Sequence, residues 1–209
     1  MASDEIPRPP LKQIILGSKS MARRQILAEM GYDFTVMTAD IDEKAIRKEN
    51  PEELVVALAE AKADAIISRL QNTAHSKEDA NATLLITADT VVVYEGTIRE
   101  KPSSKDEARE FIQGYSGGQA AVVGSVCVTN LKTGMRKVGW DLAEVYFYEI
   151  PAQVIDSLID EGVTLNVAGG LKLEHPQTFP FVKEVVLSLS LSLCPRTNLQ
   201  WSVKVAFQF

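Results

Sequence analysis

The segment Ile14-Ile-Leu-Gly-Ser-Lys-Ser-Met-Ala-Arg-Arg-Gln-Ile-Leu-Ala-Glu-Met-Gly31 reads as an apolar strand over 13–16, a turn of small residues and a helix over 20–30. Ile26, Leu27 and Met30 supply the buried side of that helix, and Gly31 stands where a C-terminal stop is expected. Strand, tight turn and helix in this order open an α/β fold. Arg23 and Arg24 fall at the helix start, where the macrodipole is already positive. Two cations there call for an anion. Gly17, Ser18 and Ser20 followed by guanidinium forks form an arrangement that lets backbone amides and side chains grip a phosphate together. The spacing is not that of a P-loop, because G-x-x-x-x-G-K-[ST] is absent.

Outward from this unit the pattern alternates. Residues 34–38 read as a strand running into the acidic loop 40–43, and Asn50-Pro51 with Glu52 and Glu53 opens a long helix to about residue 69. A polar loop covers 72–83. Residues 84–88 form a short apolar strand that ends at Asp89, and 91–94 continue extended to a turn at Glu95-Gly96. Ser104 and Glu107 make a capping box for a helix over 105–113, stopped by Ser116-Gly-Gly118. The extended runs 120–130 and 135–148 flank a hairpin turn, and a further helix spans 151–161. The fold class that follows is α/β, a mixed twisted sheet with flanking helices. Residues 1–11 read as a loose lead-in, 12–186 as the globular unit and 187–209 as an atypical tail whose Leu-Ser alternation suits an edge strand.

The chain has 209 residues, 45% of them hydrophobic, enough for a substantial core. Its net charge of −6 opposes a nucleic-acid partner, which would need basic residues massed on one face. Local positive charge on an acidic body suits a small anionic ligand. Cys127 and Cys194 lack metal-ligand spacing, and no stretch has the length and apolarity of a membrane span, so a cytoplasmic, reducing location without membrane contact is expected.

Lys62 shares a helical arc with Val55, Leu58 and Ile66, so its ammonium either meets an anion or snorkels past the apolar face. Asp89, after a buried strand, is placed to orient a water or hold Mg²⁺. Arg23, Lys62 and Lys101 as cations, with Glu43 and Asp89 as carboxylates, supply both halves of a phosphoryl-transfer site. Neither His75 nor His175 has a nucleophile signature beside it, which argues against a triad hydrolase.

These residues lie in motifs that, in order, resemble the Maf family of septum-formation-inhibitor-like nucleotide pyrophosphatases: Ser18-Lys-Ser-Met-Ala-Arg-Arg-Gln-Ile-Leu27, Asp42-Glu43, Ala61-Lys62-Ala63, Thr87-Ala-Asp-Thr-Val-Val92, Glu100-Lys-Pro102, Tyr115-Ser-Gly117, Glu144-Val-Tyr-Phe147 and Ala168-Gly-Gly-Leu-Lys-Leu-Glu174. The resemblance implies an inosine triphosphate pyrophosphatase-like fold with two lobes around a central cleft, and hydrolysis of a nucleoside triphosphate with Mg²⁺ or Mn²⁺. Family members often form dimers, so a homodimer is an expectation. Carried across, Ser18, Arg23, Lys62 and Lys101 bind the triphosphate, Glu43 helps hold metal, and Asp89 is the general base as well as a metal ligand. Glu174 matches the subgroup acting on 7-methyl-GTP, and a carboxylate does accept from the donor edge of guanine. Thr90 instead matches the dTTP/UTP subgroup, which stands as the alternative, beside a weakly catalytic, nucleotide-binding regulator of cell division. Met21, Ala22 and Ala120 depart from the family pattern, as does the chain beyond residue 186, from which reduced stability is expected.

Overall fold

Seven strands build one sheet, and the computed structural model describes residues 13–73 and 83–188 of the chain. In chain order these are β1 (Gln13–Leu16), α1 (Met21–Glu29), β2 (Phe34–Val36), a 3-10 turn (Glu43–Ala45), α2 (Pro51–Thr73), β3 (Thr83–Tyr94), β4 (Thr97–Arg99), α3 (Lys105–Tyr115), β5 (Gln119–Asn130), β6 (Arg136–Phe147), α4 (Ala152–Asp160), short 3-10 turns between 164 and 181, and β7 (Val182–Ser188). The strand order is β2-β1-β3-β5-β6-β7, with β4 also paired to β3. β1 runs parallel to both β2 and β3, and every other pairing is antiparallel. This is the mixed α/β sheet that the alternation of apolar runs predicts.

The helices end where local chemistry stops them. Ser20 caps α1 by accepting from the Arg23 amide at 3.4 Å, and Gly31, at φ +76, closes it with its amide on Ala28 O. Asn50 accepts from the amides of Glu52 and Glu53 ahead of α2, which continues to Thr73. Pro151 is the cap of α4 rather than its first helical residue, with ψ of 143°.

Packing divides the sheet faces. Register puts Leu85, Thr87, Asp89 and Val91 of β3 on the face covered by α2, where Leu54, Val55, Leu58, Ala59, Ala63 and Ile66 are buried. Ile86 on the other face meets Leu27 of α1, while Val92 joins a second group with Tyr115, Val122, Phe147, Leu158 and Leu171 under α3 and α4. Between those two apolar groups lies the row Thr90, Gly124 and Asp141, which belongs to neither.

One expectation is corrected. The strand does not end at Asp89, because β3 runs unbroken for 12 residues, with Asp89 opposite Ser125 in a ladder from Leu84/Asn130 to Val93/Ala121. A lone carboxylate after a mostly apolar run imitates a strand end, but the ladder to β5 holds the backbone extended through it. The turn at Glu95-Gly96, with φ of 48° and 75°, then returns the chain as β4, a pairing that the sequence reading did not include. The Leu-Ser alternation enters the sheet at the end of β7, where Leu187 and Ser188 pair with Ala143 and Leu142, and its remainder lies outside the described residues.

Candidate functional site

β3 is paired on one edge by β1 as far as Ile86 and by β4 from Val92 onward, which leaves residues 87–91 of that edge without a strand partner among the described residues. The site forms around this opening. Gly17 starts it by donating its amide to Ile86 O at 2.7 Å, and it must be glycine, since a Cβ there would lie 2.5 Å from Thr87 Cγ2 and 2.7 Å from Ile66 Cδ1. The chain therefore turns hard against β3 before α1 begins.

From the α1 side, Arg23 reaches the backbone of that edge. Its guanidinium donates to Ala88 O at 3.0 Å, to Thr90 Oγ1 at 3.0 Å and to Ser18 Oγ at 3.3 Å, and the Ser20 amide donates to the same Ser18 oxygen at 3.1 Å. Burial pushes the Arg23 guanidinium below its ordinary value, and the nearby Asp89 and Glu43 carboxylates act against that shift. With an ordinary value so far above neutrality, the group is a fixed cation in the physiological range. The neighbouring Arg24 does not share this arrangement, and its Nε is buried without a hydrogen-bond partner among the described residues.

From the α2 side comes Lys62. Thr87 donates its hydroxyl to Ala59 O at 2.7 Å, and Ser125 does the same to Val55 O at 2.6 Å, so two buried hydroxyls of the sheet fix the height of α2. Three residues beyond Ala59, Lys62 then stands over Asp89, two residues beyond Thr87. Its ammonium donates to Asp89 Oδ1 and lies 3.1 Å from Glu43 Oε1. The side chains of Lys62 and Asp89 are only 11% and 12% exposed, whereas Glu43 is 48% exposed. The sequence left Lys62 between an anion partner and a snorkelled tail; the structure gives it two anions.

Arg23, Ser18, Thr90, Lys62, Asp89 and Glu43 thus converge, two groups on opposite faces of β3 meeting around its open edge. Asp42 does not join them: its Oδ1 accepts from the Lys44 amide at 3.1 Å and shapes the 3-10 turn that presents Glu43. Lys101 follows β4 in an exposed bend and makes no ion pair among the described residues. Its segment is nonetheless tied to the site, because Glu100 pairs with Arg47 at 3.1 Å and Arg47 donates to Glu43 O at 3.3 Å. Arg47 was not singled out by the sequence, since nothing in a solvated helix-free stretch marks it. Glu100 O also accepts from the Gly169 amide at 2.9 Å, linking in the segment that carries Glu174. Glu174 is exposed and 3.4 Å from Lys172.

Glu43 and Asp89 place two carboxylates on a single cationic nitrogen, and a hard divalent ion uses such a pair while taking its other oxygens from water and phosphate. The donor set fits Mg²⁺ or Mn²⁺. Among the described residues no group of three or more His, Cys, Asp and Glu side chains forms a closed metal cage, and no helix is long and apolar enough to cross a membrane.

Comparison with known proteins bears on what this arrangement does. The family model described as Maf-like protein matches residues 13–190. A 7-methyl-GTP pyrophosphatase of Dictyostelium discoideum is 39% identical over 186 residues, covering 89% of this chain and 93% of the relative. A 7-methyl-GTP pyrophosphatase of Idiomarina loihiensis is 30% identical, covering 79% and 86%, and a dTTP/UTP pyrophosphatase of Alkaliphilus metalliredigens is 28% identical, covering 84% and 86%.

Proposed function

The chain belongs to the Maf-like protein family, and from that premise we propose that it is a pyrophosphatase that cleaves a nucleoside triphosphate to the monophosphate and pyrophosphate. The observation that carries the reading is the convergence of two part-buried cations and two carboxylates on the open edge of β3. Cations alone would suit a binding site; carboxylates among them suit water activation and a metal.

In this reading Arg23 and Lys62 hold the phosphates, with Ser18 orienting Arg23 and Lys101 closing over the distal end. Asp89 accepts a proton from a water aimed at the α-phosphorus, and pyrophosphate leaves toward the cations. A divalent ion held by Glu43 and Asp89 would neutralise phosphate charge and strengthen the electrophile. The partly enclosed position of Asp89 keeps bulk water from competing with the one it orients.

The base is a guanine type such as 7-methyl-GTP, read by the Glu174 carboxylate, and the identity to a 7-methyl-GTP pyrophosphatase supports that choice. The resemblance of Thr90 to the dTTP/UTP subgroup and the identity to a dTTP/UTP pyrophosphatase support the alternative. A cytoplasmic location and a homodimer complete the proposal. Pyrophosphate release from 7-methyl-GTP, GTP, UTP and dTTP with Mg²⁺ tests it. Asp89→Asn should lower turnover at least about 100-fold, and Glu174→Gln should shift preference toward pyrimidines. Absence of turnover on every nucleotide would leave a binding protein instead, the regulator of cell division.

A further inference from the structure

Lys62 occupies the point on which Glu43 and Asp89 converge. An ammonium at hydrogen-bond distance from both oxygens lies where a divalent ion would bind them, and the two cations cannot share that space. We propose that Lys62 is the resident counter-ion of the metal site: a divalent ion entering between Glu43 and Asp89 displaces the Lys62 ammonium, which is thereby released to the phosphate of the nucleotide. The inference rests on the pyrophosphatase reading for the identity of the anion that receives Lys62.

The physical argument is one of charge. Two carboxylates in a partly buried site repel each other and need compensation, and without metal the compensation within contact distance is Lys62. Arg23 adds long-range attraction but makes no direct contact with either carboxylate: three of its five N–H groups go to Ala88 O, Thr90 and Ser18, and the other two are left for phosphate. A metal must therefore compete with Lys62, so metal alone binds weakly. Once phosphate offers Lys62 a new partner the competition disappears, and by linkage metal and nucleotide each strengthen the other. Lys62 is built for this, because its four-carbon stem swings while α2 stays pinned through Ala59 and Val55. The device keeps the two carboxylates paired until substrate arrives.

The test is Mn²⁺ binding to the whole protein without nucleotide, followed by electron paramagnetic resonance of the free ion. Lys62→Met should bind Mn²⁺ roughly tenfold or more tightly than the parent, since it leaves two uncompensated ligands. Lys62→Arg, which keeps the charge, should show no gain, and the double variant Lys62→Met with Asp89→Asn should lose it. Should Lys62→Met fail to fold alone, rescue of its melting transition by Mn²⁺ supports the exchange. Equal or weaker Mn²⁺ binding by Lys62→Met, or no rescue, overturns it. That failure would leave pyrophosphate release by the parent untouched, whereas an inactive parent with tighter metal binding by Lys62→Met would remove the activity and keep the exchange.

Discussion

Single positions carry unequal loads around β3. Gly17 has no room for a methyl group against Thr87 and Ile66, so Gly17→Ala must displace the turn or push aside the Thr87 and Ile66 side chains. The expected loss is about 1–3 kcal/mol by urea unfolding, the range of overpacked core sites, together with weaker nucleotide binding. A second residue-scale prediction concerns Tyr115, fully buried beside Arg99, whose guanidinium sits 4.3 Å from the Tyr94 ring centre and 4.5 Å from that of Phe111. Burial pushes the Tyr115 phenol up to about 12, although the Arg99 guanidinium favours the ionised form. The folded state therefore holds the proton where the unfolded chain, titrating near 10, has released it. Stability contributed by this group is present below pH 10 and falls between pH 10 and 12, by up to about 2–3 kcal/mol. Tyr115→Phe should lose less stability than the parent between pH 9 and 11.5; parallel curves would contradict the account.

At the scale of elements, two kinds of contact join α3 to α4. Arg109 pairs with Asp156 and Lys105 with Asp160 at 3.1 Å, both pairs well exposed, while Leu158 and Ile112 are fully buried beneath them. Exposed pairs contribute little after solvent screening, whereas a buried leucine contributes transfer and packing together. Lys105→Ala should cost under about 1 kcal/mol and Leu158→Ala about 2–5 kcal/mol, measured by denaturant midpoint. The caps matter in between: Ser104, which accepts from the Glu107 amide at 3.1 Å, should cost roughly 1 kcal/mol when replaced by alanine. The capping box is legible in sequence because its bonds are local. The detail is not, since Glu107 turns back to Ser103, one residue earlier than the cap.

For the whole molecule, the site is an opening in the sheet, and filling it links the α1 side, the α2 side and the segment from Glu100 to Gly169. A ligand that binds only the folded chain stabilises it by mass action, about 2.7 kcal/mol at 100 times its dissociation constant. A non-hydrolysable triphosphate with Mg²⁺ should therefore raise the melting temperature by roughly 5–10 °C, given about 2–4 °C per kcal/mol for a domain of this length. The same addition to Arg23→Met should give a much smaller rise. The lower stability expected from the chain's unusual end concerns residues that mostly lie outside those described.

What the amino-acid order settled by itself is whatever neighbours in the chain decide: the strand-turn-helix at 13–30, the helix starts at Asn50 and Ser104, the hairpin between β5 and β6, and the apolar arc that holds Lys62. These follow from periodicity and short-range hydrogen bonds, and the ordered motifs added the family. Tertiary structure decided the rest. That β3 continues through Asp89 depends on β5, 36 residues later; that the edge at 87–91 stays open depends on where β1 and β4 happen to pair. Lys62 meeting both Glu43 and Asp89 requires three separate elements to be held at one height by Thr87 and Ser125. Electrostatic contacts act through space between groups far apart in the chain, so a linear pattern can nominate those charges but not bring them together.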